Sequence, residues 1–146
     1  MPPIVSTFEI DRPPDEVYRY ATDPSRFPEW QHDVVRVDGG HPPAVGTRFT
    51  TVRRIGRVEQ ATIQEITELS PPRSWAARGV DGPFRPSAGI TVEPLDDGTR
   101  SLVTIALDFE GHGIGKLLPL DVIRRMAAKS APRSYQNLKE LLERDT

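Results

Sequence analysis

Ile10 to Trp30 reads IDRPPDEVYRYATDPSRFPEW, and the order of elements written in these residues decides the fold. The strand-like run Ile4 to Ile10 stops at Pro13-Pro14. Proline is tolerated at a helix's first position because its missing N–H has no intrahelical partner there, and acidic side chains favour that end through the helix dipole. Asp15 and Glu16 supply the acids, and Val17, Tyr18 and Ala21 then recur at helical spacing. Asp23-Pro24 starts a second short helix, which Phe27-Pro28-Glu29-Trp30 closes on an aromatic. One strand and two short helices therefore precede everything else.

Beyond Trp30 the period becomes two. Strands are expected at Val34–Val37, Gly46–Arg54, Val58–Leu69, Ser74–Val80, Ala88–Leu95 and Arg100–Glu110, separated by Gly-, Pro- and Asp-rich turns. The clearest hairpin crosses Asp96-Asp97-Gly98-Thr99. Its second strand sets Val103, Ile105, Leu107 and Phe109 against Thr104 and Asp108, the pattern of a half-buried antiparallel strand. With no helix between successive strands after the first, the seven belong to an antiparallel sheet rather than to βαβ units.

Ile114 to Arg144 reads as one long helix that begins in earnest near Pro119 or Leu120. Leu120, Ile123, Ala127, Ala131, Ser134, Leu138 and Leu141 step by three or four along one side. Such a stripe needs a surface to cover, and a curved sheet provides one. Pro132 lies inside this helix and is expected to kink or unwind it, freeing the carbonyl of Ala128.

The order strand, two short helices, six strands, long helix resembles the START-like, polyketide cyclase/dehydrase and lipid-transport superfamily (SRPBCC, Bet v 1-like) across nearly the whole chain. The resemblance implies an α+β helix-grip fold: a single domain over residues 1–146 in which a seven-stranded antiparallel sheet curves around the C-terminal helix. It also implies a hydrophobic cavity between the two. The family includes lipid carriers, hormone and flavonoid binders, and aromatase/cyclases that fold polyketide chains. Its enzymes rest on a few cavity polar groups that no motif transfers, so catalytic residues stay unassigned.

Composition narrows the function classes. The chain has 146 residues, enough to bury about two-thirds of its unfolded surface. Nineteen basic and 21 acidic residues give a net charge of −2, with no one-sided field for nucleic acid or an anionic membrane. The absence of cysteine excludes disulfides and thiolate chemistry. No apolar run approaches a membrane span and the N-terminus lacks a signal-peptide pattern, so a cytoplasmic protein without integral membrane contact is expected, as monomer or homodimer. Phosphate-loop, GxGxxG, GxSxG and HExxH motifs are absent. His32, His41 and His112 are dispersed at turns and read as exposed loop residues, with no convergence for a metal. No cofactor and no metal are expected.

Candidate ligand-binding residues come from side chains that share a face. If Ile66 points inward, so do Gln64, Thr62 and Gln60; in the opposite register Ala61 and Ile63 point in and the glutamines are solvated. Phe49, Thr51 and Arg53 share one face, and Trp75, Ala77 and Gly79 another. Arg53 facing inward would anchor a carboxylate or phenolate, whereas with Arg54 and Arg57 it reads as part of a solvated hairpin tip. The low volume of Ala127, Ala128, Ser130, Ala131 and Ser134 suits either tight helix packing or room for a ligand. Tyr18, Tyr20 and Trp30 line an opening or belong to the core, and for Trp30 the core is the stronger reading. With Arg78, Ile105 and Leu107 these complete the candidate set. A binding protein for a lipid- or polyketide-like ligand is the first expectation. A metal-independent cyclase, aromatase or dehydratase using Arg53, Gln64, Arg78 or Tyr20 is the second, and an interaction module with a collapsed cavity the third.

Overall fold

The computed structural model describes residues 3–81, 84–111 and 120–144. β1 is Ile4–Ile10, α1 Pro14–Ala21 and α2 Phe27–Trp30, with a 3-10 turn at Pro24–Arg26 between the helices. β2 (Val34–Gly39), β3 (Arg48–Ile55), β4 (Val58–Ser70), β5 (Ser74–Asp81), β6 (Phe84–Leu95) and β7 (Arg100–Gly111) follow, and α3 covers Leu120–Arg144. The strands form one antiparallel sheet in the order β1-β7-β6-β5-β4-β3-β2, curled into a half-barrel that α3 fills. Register slips between Val34 and Arg36, Ile63 and Gln64, and Ile66 and Glu68 mark irregularities of the bulge type, which bend a strand and increase its twist.

Local chemistry accounts for the first elements. α1 carries proline at its start with Asp15 and Glu16 in the first turn, and buries Val17, Tyr18 and Ala21. Asp23 Oδ1 accepts from the amide (3.1 Å) and the hydroxyl (2.7 Å) of Ser25, which caps the 3-10 turn. Between β6 and β7, Asp96, Asp97 and Gly98 all have positive φ (49°, 59° and 86°), the left-handed backbone that Asp tolerates and Gly favours.

Two strand starts differ from the sequence reading. Gly46, taken as the start of a strand, has φ 95° and lies in the turn before β3. β6 starts at Phe84, four residues earlier than Ala88, and so contains Pro86. β5 pairs with β6 only over Ser87–Thr91, so Pro86 faces no β5 acceptor that needs its missing N–H.

Part of the expectation for Pro132 is corrected: α3 stays helical through it rather than unwinding. Proline's φ of about −65° is helical, and both Pro132 and Ala128 are exposed, so the one carbonyl left without an amide can meet solvent. Packing on the opposite side, from Ala131, Ser134, Tyr135, Leu138 and Leu142, holds the helix continuous. The side chains of Leu120 and Ile123, and residues 112–119 with His112, lie outside the described residues.

Candidate functional site

Four aromatic rings from three elements build the floor beneath α3. Phe27 meets Trp30, Trp75 and Phe49 edge-on at centroid distances of 5.9, 5.9 and 6.1 Å, and Phe49 and Trp75 lie 6.3 Å apart. The inward faces of β6 and β7 add Ile90, Ile105 and Leu107, and α3 contributes Ala127, Ser130, Ala131 and Ser134. Short helix side chains opposite bulky sheet side chains leave a cavity of about 280 Å³ between helix and sheet. His32, Arg54 and Met126 are the exposed members of its wall and mark the side where it meets solvent. This side adjoins Trp30; the loop before α3 lies outside the described residues.

The strand register is the one that points the polar side chains of β4 inward. Ile66 and Gln64 are buried, Gln64, Thr62 and Gln60 line the cavity, and Ala61 is exposed. Gln64 is not isolated: Thr51 Oγ1 donates to its Oε1 at 2.8 Å, across a diagonal between β3 and β4. This satisfies a buried acceptor whose loss of a partner costs about 1–3 kcal/mol.

Arg53 is not part of a solvated hairpin tip. Its Nη1 donates to both carboxylate oxygens of Asp33 at 3.1 Å and its Nη2 to Gln31 Oε1 at 2.8 Å. Gln31 and Asp33 sit on the turn between α2 and β2, and the amide of Arg54 donates to the carbonyl of Asp33 at 2.8 Å. A planar guanidinium suits this forked arrangement. The result is a fixed polar clasp on the cavity wall, with Arg57 exposed beyond it.

Four expected residues are not on the wall. Phe49 lies behind Phe27 and Trp75 in the core, and Thr51 is buried beneath Gln64 as its partner. Arg78 follows inward-facing Ala77 and is therefore exposed on the opposite face. Tyr20 donates to Glu29 Oε1 at 2.8 Å, under the guanidinium of Arg26. Tyr18 is also core, its hydroxyl donating to the carbonyl of Ser74 at 2.8 Å. Trp30, Arg53, Thr62, Gln64, Trp75, Ile105, Leu107, Ala127, Ala131 and Ser134 do share the one wall. His41 sits far out beside Asp23 at 3.4 Å, half-exposed.

Tyr135 is among the wall residues that sequence reasoning passed over, with Phe27, Gln31, Asp33, Ile90 and Phe109. It lies four residues beyond Ala131 and three before Leu138, so its spacing belonged to the buried stripe. Ser134 was taken for that turn, yet the buried arc is wide enough for both. The ring stacks on Phe8 at 5.3 Å. Burial pushes its phenol up to about 12, with the charge of Arg53 pulling the other way, so the hydroxyl stays protonated at neutral pH. Tyr135 Oη, Trp30 Nε1 and Trp75 Nε1 are buried without a hydrogen-bond partner, and all three side chains belong to the cavity wall.

Among the described residues no group of three or more His, Asp or Glu could hold a metal ion, and no helix is long and apolar enough to cross a membrane. A curled antiparallel sheet closed over a C-terminal helix defines the START/Bet v 1-like class of domains. Residues 1–143 match the sequence profile of the polyketide cyclase / dehydrase and lipid transport family, and the chain belongs to that family. No functionally curated protein matches the sequence. Among solved structures, a START superfamily protein from Mycobacterium smegmatis aligns over 100% of both chains at 12% identity and TM-score 0.80. A Thermus thermophilus protein aligns over 97% of both at 21% identity and TM-score 0.75. The di-domain ARO/CYC BexL of the BE-7585A biosynthetic pathway aligns over 96% of this chain and 46% of its own, at 20% identity and TM-score 0.71. Identities this low speak to the fold alone.

Proposed function

We propose that this chain, acting as a single domain, binds a small, mainly apolar ligand in the cavity between the sheet and α3. The observation that carries the reading is the arrangement of the wall, with large apolar side chains on the sheet facing Ala127 and Ala131 on the helix. Its volume of about 280 Å³ sits near the lower end of small-molecule sites, which run from roughly 300 to 1,000 Å³. A compact ligand of fused rings or a short chain suits it better than a diacyl lipid. A core that retains this space also argues against an interaction module with a collapsed cavity.

A second reading, a cyclase or dehydratase, draws support from the family and from the polar groups that meet in the cavity. Arg53, Gln64 and Tyr135 would orient a substrate that the cavity shape already folds, where positioning supplies most of the rate effect. Arg78 and Tyr20, outside the wall, have no part in it.

Replacing Ala131→Phe fills the space while keeping an apolar side chain on α3. Anilinonaphthalene sulfonate fluorescence is expected to rise with wild type and not with A131F, provided circular dichroism shows the variant folded. Equal binding by both proteins would remove the cavity from the reading. Turnover of a polyketide-like substrate by wild type, lost in R53L or Q64L, would favour the enzyme over the carrier.

A further inference from the structure

From Arg125 to Arg133 the exposed side of α3 carries charge of one sign. Arg125, Lys129 and Arg133 stand four residues apart, with Met126, Ala128 and Pro132 the exposed side chains between them. Residues four apart are neighbours on a helix, so the three charges repel one another and weaken the helix that bears them. No carboxylate relieves them: among the described residues none of the three makes an ion pair or a side-chain hydrogen bond. Elsewhere the helical segments pair their cations, Arg19 with Asp15, Arg26 with Asp23, Arg124 with Asp108 and Lys139 with Glu143. Arg144 ends α3, where the helix dipole favours a cation, but that effect fades within the last turn and does not reach the row.

We infer that this face of α3 docks an acidic helix of a partner protein, whose carboxylates four residues apart meet Arg125, Lys129 and Arg133. The row spans about 12 Å at a rise of 1.5 Å per residue, and a helix laid along it repeats its own side chains at the same interval. The planar fork of each arginine can hold a carboxylate through two parallel hydrogen bonds. An anionic membrane fits the face less well. Polybasic attachment to lipid takes roughly four to eight cations. This face offers three, on a chain of net charge −2, and Met126 is its one large exposed apolar side chain. Met126 also stands at the edge of the cavity, so the partner would lie beside the opening. The docking does not depend on what the cavity takes.

The probe is a fluorescein-labelled, alanine-based helical peptide with glutamates at every fourth position, compared with the same peptide carrying glutamine instead. Fluorescence anisotropy at low ionic strength should show the glutamate peptide binding wild type and the glutamine peptide not, with affinity falling as salt is added. Lys129→Glu should weaken binding roughly tenfold, since an attraction is lost and a repulsion takes its place. The same variant should melt no lower than wild type, because a carboxylate there lies four residues from both Arg125 and Arg133. Lys129→Ala, which adds no charge, should weaken binding in the same direction. Arg78→Glu, at an exposed cation on the outer face of the sheet, should leave binding unchanged. No binding of the glutamate peptide to wild type, equal binding of the glutamine peptide, or equal weakening by K129E and R78E overturns the inference. Attachment of wild type to phosphatidylglycerol vesicles without peptide binding also overturns it and gives the face to lipid.

Discussion

At the scale of single residues, the Thr51–Gln64 bond shows how one polar pair is accommodated among buried apolar side chains. Replacing Gln64→Leu leaves the Thr51 hydroxyl without its acceptor and should lower stability by about 1–3 kcal/mol in chemical denaturation. Adding Thr51→Val should recover much of that loss, because two apolar partners of similar shape leave nothing unmet. Losses that simply add in the double variant would show that the pair is not coupled. Tyr135 makes a second prediction. Its folded value of about 12 lies above the ordinary 10, so its contribution to stability is complete below pH 10 and is lost as pH rises through 12. Y135F should therefore lose less stability than wild type between those pH values. A tyrosinate absorbance titration of wild type in which Tyr135 ionises near 10 would contradict this.

Among the elements, β6 comes close to β5 at Gly79, where there is no side chain in the way. A Cβ on Gly79 would lie 2.9 Å from Arg85 Cα and 2.9 Å from Pro86 Cδ. Gly79→Ala must therefore shift β6 near Pro86, which lines the cavity, and should cost about 1–3 kcal/mol in the manner of an overpacked site. Thermal melting and ligand affinity should both fall, and an unchanged melting temperature would refute the close approach. α3 gives the opposite case. Because it is continuous and Pro132 faces solvent, Pro132→Ala restores an amide for the Ala128 carbonyl and should stabilise by up to about 3 kcal/mol. Ligand affinity should stay unchanged, since the cavity is lined by the opposite side of the helix.

For the molecule as a whole, the C-terminal end of the helix is tied back to the start of the chain. Glu143 Oε2 accepts from the Asp11 amide at 2.8 Å, Arg12 Nη2 donates to the Glu143 carbonyl at 2.9 Å, and Lys139 Nζ donates to the Glu9 carbonyl at 2.7 Å. Arg124 pairs with Asp108 of β7 nearer the other end, and Asn137 reaches the Trp30 carbonyl at 3.3 Å. Partial burial raises the Glu143 carboxyl, but the Lys139 and Asp11 hydrogen bonds with the charges of Lys139 and Arg12 outweigh it and hold the group below its usual 4.5. A lowered value contributes stability that is present above pH 4.5 and lost as pH falls through the folded value. Glu143→Gln should therefore flatten the acid limb of the stability curve, and a steeper limb would count against the latch.

What the linear order of residues determined by itself is the order of elements, because proline placement, glycine turns and the periods of two and 3.6 act over a few residues at a time. β1 at Ile4–Ile10 and the helix over Leu120–Arg144 were legible for that reason. Which face of β4 points inward was not, since Gln60-Thr62-Gln64-Ile66 and Ala61-Ile63 alternate equally well and only packing beneath α3 chooses between them. The same limit hid the partners of Arg53, whose clasp joins Gln31 and Asp33 from a turn some twenty residues earlier. It also hid the place of Tyr135 on the wall, and it left Pro132 looking like a break. Tertiary contacts decided these points because burial and hydrogen bonding depend on atoms that are neighbours in space and remote along the chain.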